Sequence, residues 1–246
     1  MTVVREDTSR LSALHRVYIL TILLSASLLC APNSHANPVL NNVAQGQATV
    51  EQTATTTTVN QASQKAVINW NSFNIGAGES THFNQPAGGM ALNRINPGAG
   101  ASSIYGSLTA TGKIILVNPA GIYFGPSAYV NVGGMVASTL DMTDSNFMNG
   151  NYQFFKVPGY NGEIINQGQI IAGQHGLVAL VGGAISNEGH IEAHMGHVAL
   201  LSGDAVTMSF AGNDMISFTV DTASSNASIH NTGTISANGG RVTVTA

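Results

Sequence analysis

The hydrophobic pattern is most distinct around one turn in the middle of the chain. Four apolar residues, 114–117, are followed by Asn-Pro-Ala-Gly, and apolar residues return at Ile122. This predicts a buried strand, a tight turn and a second short strand, because Pro119 presets φ and Gly121 tolerates the positive φ that follows. Asn118 is expected to hydrogen-bond the backbone two residues further on. Because the turn carries no charge, we expect it to lie inside or against a core.

Short segments of similar character recur along the chain. The threonine-rich stretch 48–60 predicts one or two early strands, because threonine favours β-structure and neither proline nor glycine interrupts it. The next segment is expected to supply Ile68, Trp70 and Ile75 to the core. Further strands are predicted within residues 81–84, 90–96, 103–108 and 128–141.

The regular pattern pauses between Met142 and Tyr160, where aromatic residues become frequent. We expect an excursion packed against the main body, with a hairpin at Asn149-Gly150, because Asn-Gly favours tight hairpin turns. An exposed aromatic cluster could stack against sugars. Core packing is the interpretation we favour.

A repeat begins after this excursion. The form Asn-x-Gly-x-Ile occurs at 166–170, 187–191 and 231–235, with starts 21 and then 44 residues apart, and an extra strand pair is expected between 208 and 220. A period near 21 with short strands and fixed turn residues is typical of a solenoid. Because the framework of leucine-rich repeats is absent, the pattern predicts a parallel β-helix. We expect about ten coils, forming a rod on the order of 50 Å long.

Composition agrees with an all-β protein. Charged residues make up 8% of the chain, which has 28 glycines and many β-branched residues. After residue 36 there are five cations and ten acidic residues, so counterion-release binding to nucleic acid is not expected. The five cations are Lys65, Arg94, Lys113, Lys156 and Arg241.

The first 36 residues have the pattern of a Sec signal peptide. Three arginines precede an apolar run, residues 17–29, and Ser34-His35-Ala36 supplies the small residues of a signal-peptidase site. We expect cleavage between Ala36 and Asn37, although a short buried helix is an alternative. Cleavage would remove the single cysteine, Cys30, and leave an exported chain without disulfides.

Several motifs together resemble the secretion domain of two-partner secretion exoproteins, the family of filamentous haemagglutinins and high-molecular-weight adhesins. They occur in the same order over nearly all of the chain after residue 36. The family's usual Asn-Pro-Asn-Gly-Ile has Ala120 at its third position, and Asn96-Pro97-Gly98 stands near the place of a second Asn-Pro motif. The matching segments are 68–75, 92–95, 104–108, 116–122, 137–141 and the Asn-x-Gly-x-Ile repeats.

The resemblance implies a right-handed parallel β-helix with an N-terminal cap and small extra-helical β-hairpin excursions, spanning residues 37–246. It implies export through the periplasm of a Gram-negative bacterium, where a TpsB-type outer-membrane transporter recognises the domain through POTRA domains and β-helix folding is nucleated. It also implies a secreted or cell-surface adhesin or haemagglutinin. Because an uncapped coil exposes backbone and apolar surface, we expect further repeats in a longer protein.

The resemblance also suggests which residues serve recognition or secretion. Pairing of an early strand with a POTRA sheet edge would be β-augmentation. Turn geometry explains Asn118 and Pro119 equally well, so structural and recognition roles remain alternatives. The candidates are Asn93, Arg94, Asn96, Pro97, Asn118, Pro119, Gly121 and Ile122.

Other chemistry is weakly indicated. Residue types that can bind zinc occur close together at His190, Glu192, His194 and His197. We interpret these four as solvent-facing coil residues. The acidic residues are scattered and no familiar catalytic motif is present, so we expect neither an enzyme nor a cofactor. A β-helix carbohydrate-active enzyme and a stand-alone protein binding haem or glycan are the alternatives.

Overall fold

The structure, a computed structural model, describes residues 36–211, 215–225 and 227–246. The predicted signal peptide, apart from Ala36, lies outside the described residues. No helix in the described part is long and apolar enough to cross a membrane.

The described residues are mostly β-strands. The first strands are β1 (Val39–Gln45), β2 (Ala48–Gln52), β3 (Thr56–Gln61), β4 (Lys65–Ser72), β5 (Ser80–Asn84), β6 (Met90–Ile95), β7 (Ser102–Ile104), β8 (Ser107–Ala110), β9 (Lys113–Val117), β10 (Ile122–Phe124), β11 (Tyr129–Val132), β12 (Gly134–Ser138) and β13 (Leu140–Asp141). They are followed by β14 (Tyr152–Lys156), β15 (Glu163–Asn166), β16 (Gln169–Ala172), β17 (Leu177–Gly182), β18 (Ala184–Asn187), β19 (His190–Ala193), β20 (His197–Ser202), β21 (Ala205–Ala211), β22 (Met215–Thr222), β23 (Ser228–Asn231), β24 (Thr234–Ser236) and β25 (Arg241–Thr245). A 3₁₀ turn spans Pro97–Ala99, and the α-helix α1 spans Asp144–Asn149.

Three sheets form the walls of a parallel β-helix, as predicted. Sheet A has the order β1-β4-β6-β9-β12-β17-β20-β25, and sheet B has the order β2-β3-β5-β8-β11-β16-β19-β24. Sheet C has the order β23-β18-β15-β10-β7. Each full coil passes from sheet B to sheet A and then to sheet C; β8, β9 and β10 form one such coil.

The predicted N-terminal cap is present. Strands β1 and β2 pair antiparallel with β4 and β3, whereas the later neighbours in sheets A and B are parallel. The threonine-rich stretch therefore supplies the hairpin β2–β3, and the cap covers the first coil.

Two excursions leave the rod where the chain passes from sheet A to sheet C. The first contains β13, α1 and β14, and the second is the hairpin β21–β22. They combine into a four-stranded sheet D with the order β13-β14-β21-β22. The extra strand pair expected between residues 208 and 220 is this hairpin.

Two apolar cores result. The interior of the rod buries Trp70, Phe83 and Leu116, and a second core lies between the outer face of sheet A and the excursions. Val117 and Leu201 of sheet A meet excursion residues in that second core. Because the middle strands of sheet A are buried on both faces, they are nearly continuous apolar runs rather than alternating ones, as in β9, β12, β17 and β20.

The structure corrects two predictions. Sheet A has eight strands, and without the antiparallel β1 it has seven coil strands rather than ten. The rod is therefore shorter, about 34 Å between its outer sheet A strands, because the cap and the excursions use chain that the period assigned to coils. Asn149-Gly150 forms no hairpin; Gly150, with φ 79°, terminates α1, and its N–H bonds to Asn146 and Phe147 carbonyls.

The Asn-x-Gly-x-Ile repeat follows from how closely the coils stack. The Asn166 amide donates to Asn187 Oδ1 at 2.8 Å, and the Asn187 amide donates to Asn231 Oδ1 at 2.6 Å, which makes a side-chain ladder. A Cβ on Gly189 would lie 2.2 Å from the carbonyl oxygen of Gly168 one coil earlier. The corner therefore excludes every residue with a side chain.

We predict that Gly189→Ala destabilises the domain by about 3 kcal/mol, because the added methyl group meets backbone that cannot rotate away. Gly183→Ala is the matched control: an added Cβ there has its nearest neighbour, Ser224 Oγ, at 3.8 Å. The control should be neutral or stabilising by less than about 1 kcal/mol. Denaturant unfolding followed by the fluorescence of the single, buried Trp70 measures both. Equal midpoints would contradict the prediction.

Candidate recognition site at the corner between sheets A and C

The Asn-Pro-Ala-Gly turn joins β9 to β10 as predicted. The Gly121 N–H donates to the Asn118 carbonyl at 3.0 Å, and Gly121 has φ 122°. Asn118 Oδ1 accepts from the Ala120 N–H at 3.0 Å, the predicted bond to the backbone two residues on. The turn is therefore fixed by its own residues.

Asn118 also ties this turn to the preceding coil. Its side-chain amide donates to the Gly100 carbonyl and to Ser102 Oγ, both at 3.0 Å, and the residue is 0% exposed. The oxygen and the nitrogen of the Asn118 side chain therefore both form hydrogen bonds within the protein. In the folded domain the Asn118 side chain cannot contact a partner.

The first excursion covers the other side of the turn. The Asn118 N–H donates to the Ser138 carbonyl at 2.9 Å, where the chain leaves sheet A. The chain returns at Gly162, whose N–H donates to the Pro119 carbonyl at 3.1 Å. A Cβ on Gly162 would lie 2.4 Å from the Gly121 nitrogen. This close approach explains why Pro119 and Gly121 are buried.

The corner one coil earlier is more open. Asn96 is exposed, and its side chain accepts from the Gly98 N–H at 3.0 Å. Pro97, which begins the 3₁₀ turn, is half-buried. Of the Asn-Pro motifs at residues 96–97 and 118–119, the first has the asparagine that a folded-state partner can reach.

Asn93 and Arg94 are neighbours on β6 with opposite environments. Asn93 is 0% exposed and accepts from Trp70 Nε1 at 2.9 Å inside the rod. Arg94 points toward the first excursion, pairs with Asp141 at 2.9 Å and Asp144 at 2.7 Å, and donates to the Met142 carbonyl. Burial lowers the pKa of Arg94, but the two carboxylates outweigh it and raise the pKa overall, so the guanidinium stays charged.

Two further cations hold the excursions. Lys65 Nζ donates to the Phe147 carbonyl at 2.8 Å at the end of α1 and lies 5.4 Å from the ring centroids of Phe147 and Tyr152. Burial lowers the pKa of Lys65. Lys156 pairs with Asp204 at 3.3 Å, which joins the two excursions. Composition identified these scarce cations but gave no indication of this shared structural role.

The eight predicted residues therefore lie on two neighbouring coils. Asn93, Asn118, Pro119, Gly121 and Ile122 are buried; Arg94 and Pro97 are half-buried, and Asn96 is exposed. Asn118, Pro119 and Gly121 meet Ser138 or Gly162, where the first excursion leaves and re-enters the rod, and Arg94 pairs with acidic residues of that excursion. The Asn93 side chain faces the rod interior, and Asn96 and Pro97 form the corner one coil earlier. Their role in recognition remains a prediction.

Other candidate positions have local roles. His190 Nε2 lies 3.3 Å from a Glu192 carboxylate oxygen, and the described residues contain no group of three or more potential ligands arranged to hold a metal. The aromatic rings of Phe147, Tyr152 and Phe154 are buried in the second core, as favoured above, whereas Phe155 is 48% exposed. The Asn37 amide donates to the carbonyls of Thr53 and Ala54.

A β-helix of this kind, capped at its N-terminus and bearing extra-helical strands, is the architecture of a bacterial secretion domain. A family model described as the TPS secretion domain matches residues 35–246, and the chain belongs to that family. It is a secretion domain of the kind found at the N-terminus of large exoproteins. Such domains are non-enzymatic export domains that work with a TpsB outer-membrane transporter in Gram-negative bacteria.

Known proteins from Haemophilus influenzae are similar. A heme/hemopexin-binding protein of strain Rd is 34% identical over 216 residues, which are 85% of this chain and 23% of that protein. A second heme/hemopexin-binding protein is 41% identical over 111 residues, 44% of this chain and 12% of that protein. The crystal structure of the HMW1 secretion domain matches with a TM-score of 0.76 at 32% identity, covering 85% of this chain and 55% of that one. This chain thus spans about a quarter or less of the curated relatives.

We predict that Asn118→Ala costs about 2–3 kcal/mol of folding free energy, because it removes three hydrogen bonds and leaves buried partners unpaired. Asn96→Ala, which removes one exposed hydrogen bond, should cost less than about 1 kcal/mol. Trp70 fluorescence in denaturant compares the two. A loss for Asn118→Ala no larger than that for Asn96→Ala would contradict the assignment.

We also predict that Arg94→Met destabilises the domain by about 1–2 kcal/mol, because it leaves Asp141, Asp144 and the Met142 carbonyl without the guanidinium that they contact. The value is kept small because the Arg94 side chain is partly exposed to solvent. Arg241→Met, at an exposed position on β25, should change stability by less than about 0.5 kcal/mol. Thermal unfolding of the two variants in one buffer is the measurement. Equal shifts would show that Arg94 does not hold the excursion.

Proposed function

We propose that residues 37–246 are recognised in the periplasm by the POTRA domains of a partner outer-membrane transporter, which then exports the protein. The Sec machinery delivers the chain, and signal peptidase removes residues 1–36 by cleaving between Ala36 and Asn37. The single observation that carries this proposal is the family match over residues 35–246. The destination is the medium or the cell surface of a Gram-negative bacterium.

The second part of the proposal is that the domain nucleates folding of a longer β-helix. The antiparallel cap closes one end of the rod. At the other end β25 exposes Val242 by 46% and Val244 by 56%, which would be buried by a following coil. The matched relatives are several times longer than this chain. Later repeats would then stack on a template that has already formed.

In this proposal the eight predicted recognition residues act either before or after the coils have closed. Buried Asn118 and Asn93 are accessible to a transporter before the coils close, and afterwards they hold the fold. Exposed Asn96 remains accessible throughout. Asn118→Ala separates these roles: lost export with an unchanged purified fold favours recognition, whereas a misfolded domain favours the structural role.

The activity of a longer exoprotein would reside downstream of this domain. We propose a surface protein of the adhesin or haem-acquisition type, with host cells or glycans among its targets. The names of the two curated relatives, heme/hemopexin-binding proteins, favour haem acquisition.

We predict that the full chain enters the medium as a folded, β-rich protein only when its cognate transporter is co-expressed. N-terminal sequencing of the secreted protein should begin at Asn37. Circular dichroism and Trp70 fluorescence report whether the secreted protein is folded. Release without a transporter, or retention in the periplasm with one, would contradict the proposal.

A further inference from the structure

Sheet D ends in an edge strand that no other described strand covers. Strand β22 pairs with β21 on one side, and its other side is the outer edge of the sheet. Its eight residues include half-buried Ile216, Phe218 and Val220, which pack against the second core, and exposed Ser217 and Thr219. Along this edge the backbone donors and acceptors face outward.

Four other outer strands, β1, β2, β7 and β13, are protected against pairing with another chain. Strands β7 and β13 have three and two residues, and β1 shifts register against β4 at three places. Strand β2 carries Glu51 and has five residues. Short, irregular or charged edges are the devices by which proteins avoid unwanted strand pairing.

Strand β22 has its one charged residue, Asp221, and its register shift near its C-terminal end, and it lacks these devices along the rest of its length. Residues 216–220 contain no charge and no proline, and the pairing with β21 is regular there; the register shift comes beyond Val220. The edges of β23, β24 and β25 are also open, but they belong to the last coil, where another coil would stack. The edge of β22 lies on the side of the rod, because sheet D covers sheet A.

We propose that the outer edge of β22 is the strand to which an extended segment of the transporter's periplasmic region pairs, adding a fifth strand to sheet D. This inference rests on the proposed function and names the surface that it uses. Main-chain hydrogen bonds supply the affinity in such an addition, and alternating side chains set the register. The exposed face of β22 at Ser217 and Thr219 is uncharged, so the incoming strand does not need a particular charge to pair there. The side of the rod stays accessible however many coils follow.

The test uses the full chain co-expressed with its cognate transporter. The variant Ser217→Lys with Thr219→Lys places two charges on the exposed face of the edge strand, a change that native edges use to prevent pairing. The matched control, Asn131→Lys with Gln169→Lys, adds the same charge at two exposed positions in the interior of sheet B. In parallel, a photo-cross-linking amino acid replaces Thr219, with Asn131 as the control position.

We expect the β22 variant to lose export by at least about tenfold while its purified fold and the control's export are unchanged. The cross-linker at Thr219 should capture the transporter, and the one at Asn131 should not. Normal export of the β22 variant, or no transporter cross-link at Thr219 while the parent chain is exported, overturns this inference and leaves the proposed function standing. Capture of a second copy of the chain at Thr219 also overturns it. Transporter-independent release of the parent chain instead overturns the proposed function.

Discussion

The close stacking of the coils is the constraint on which the rest of the structure depends. Parallel neighbours in a β-helix lie about 4.8 Å apart, and the corners must keep that spacing although the chain changes direction there. Gly168, Gly189 and Gly233 meet this requirement, because each leaves room for the backbone of the preceding coil. The asparagines two residues earlier pair through their side chains across the same spacing. A single local motif therefore encodes both corner geometry and coil register.

Stacking also fixes what the excursions must do. The outer face of sheet A is apolar and would be exposed if the rod stood alone, so the chain leaves the rod twice after sheet A strands and folds sheet D over that face. Of the five cations after residue 36, three lie at this attachment. Arg94 holds the entry to the first excursion and Lys65 the end of its helix, while Lys156 joins the first excursion to the second. These three cations thus hold sheet D in its orientation over sheet A.

The sequence predicted the features that arise from local pattern. The β-helix, the Asn118 turn and the repeats follow from residues within one coil, and the structure confirms them. The number of coils could not be predicted from the sequence, because the repeat period does not reveal which segments of the chain leave the rod. The Asn149-Gly150 prediction was wrong because the same dipeptide suits a helix end as well as a hairpin. The partners of Arg94 lie 47 and 50 residues away, and no local signal gives such pairs.

The burial of the corner bears directly on how a secretion domain can be recognised. Asn118 directs its polar atoms inward to the preceding coil, and Gly162, where the chain returns from the first excursion, closes over Pro119 and Gly121. A partner that depended on those side chains would have to act before this coil stacks on the preceding one and before Gly162 closes over the turn. A partner acting later is restricted to groups that the finished fold leaves exposed, which include Asn96 at the corner and the outer edge of sheet D. Order of folding therefore decides which surfaces are available for recognition, and the stacking of the coils at this corner makes the change.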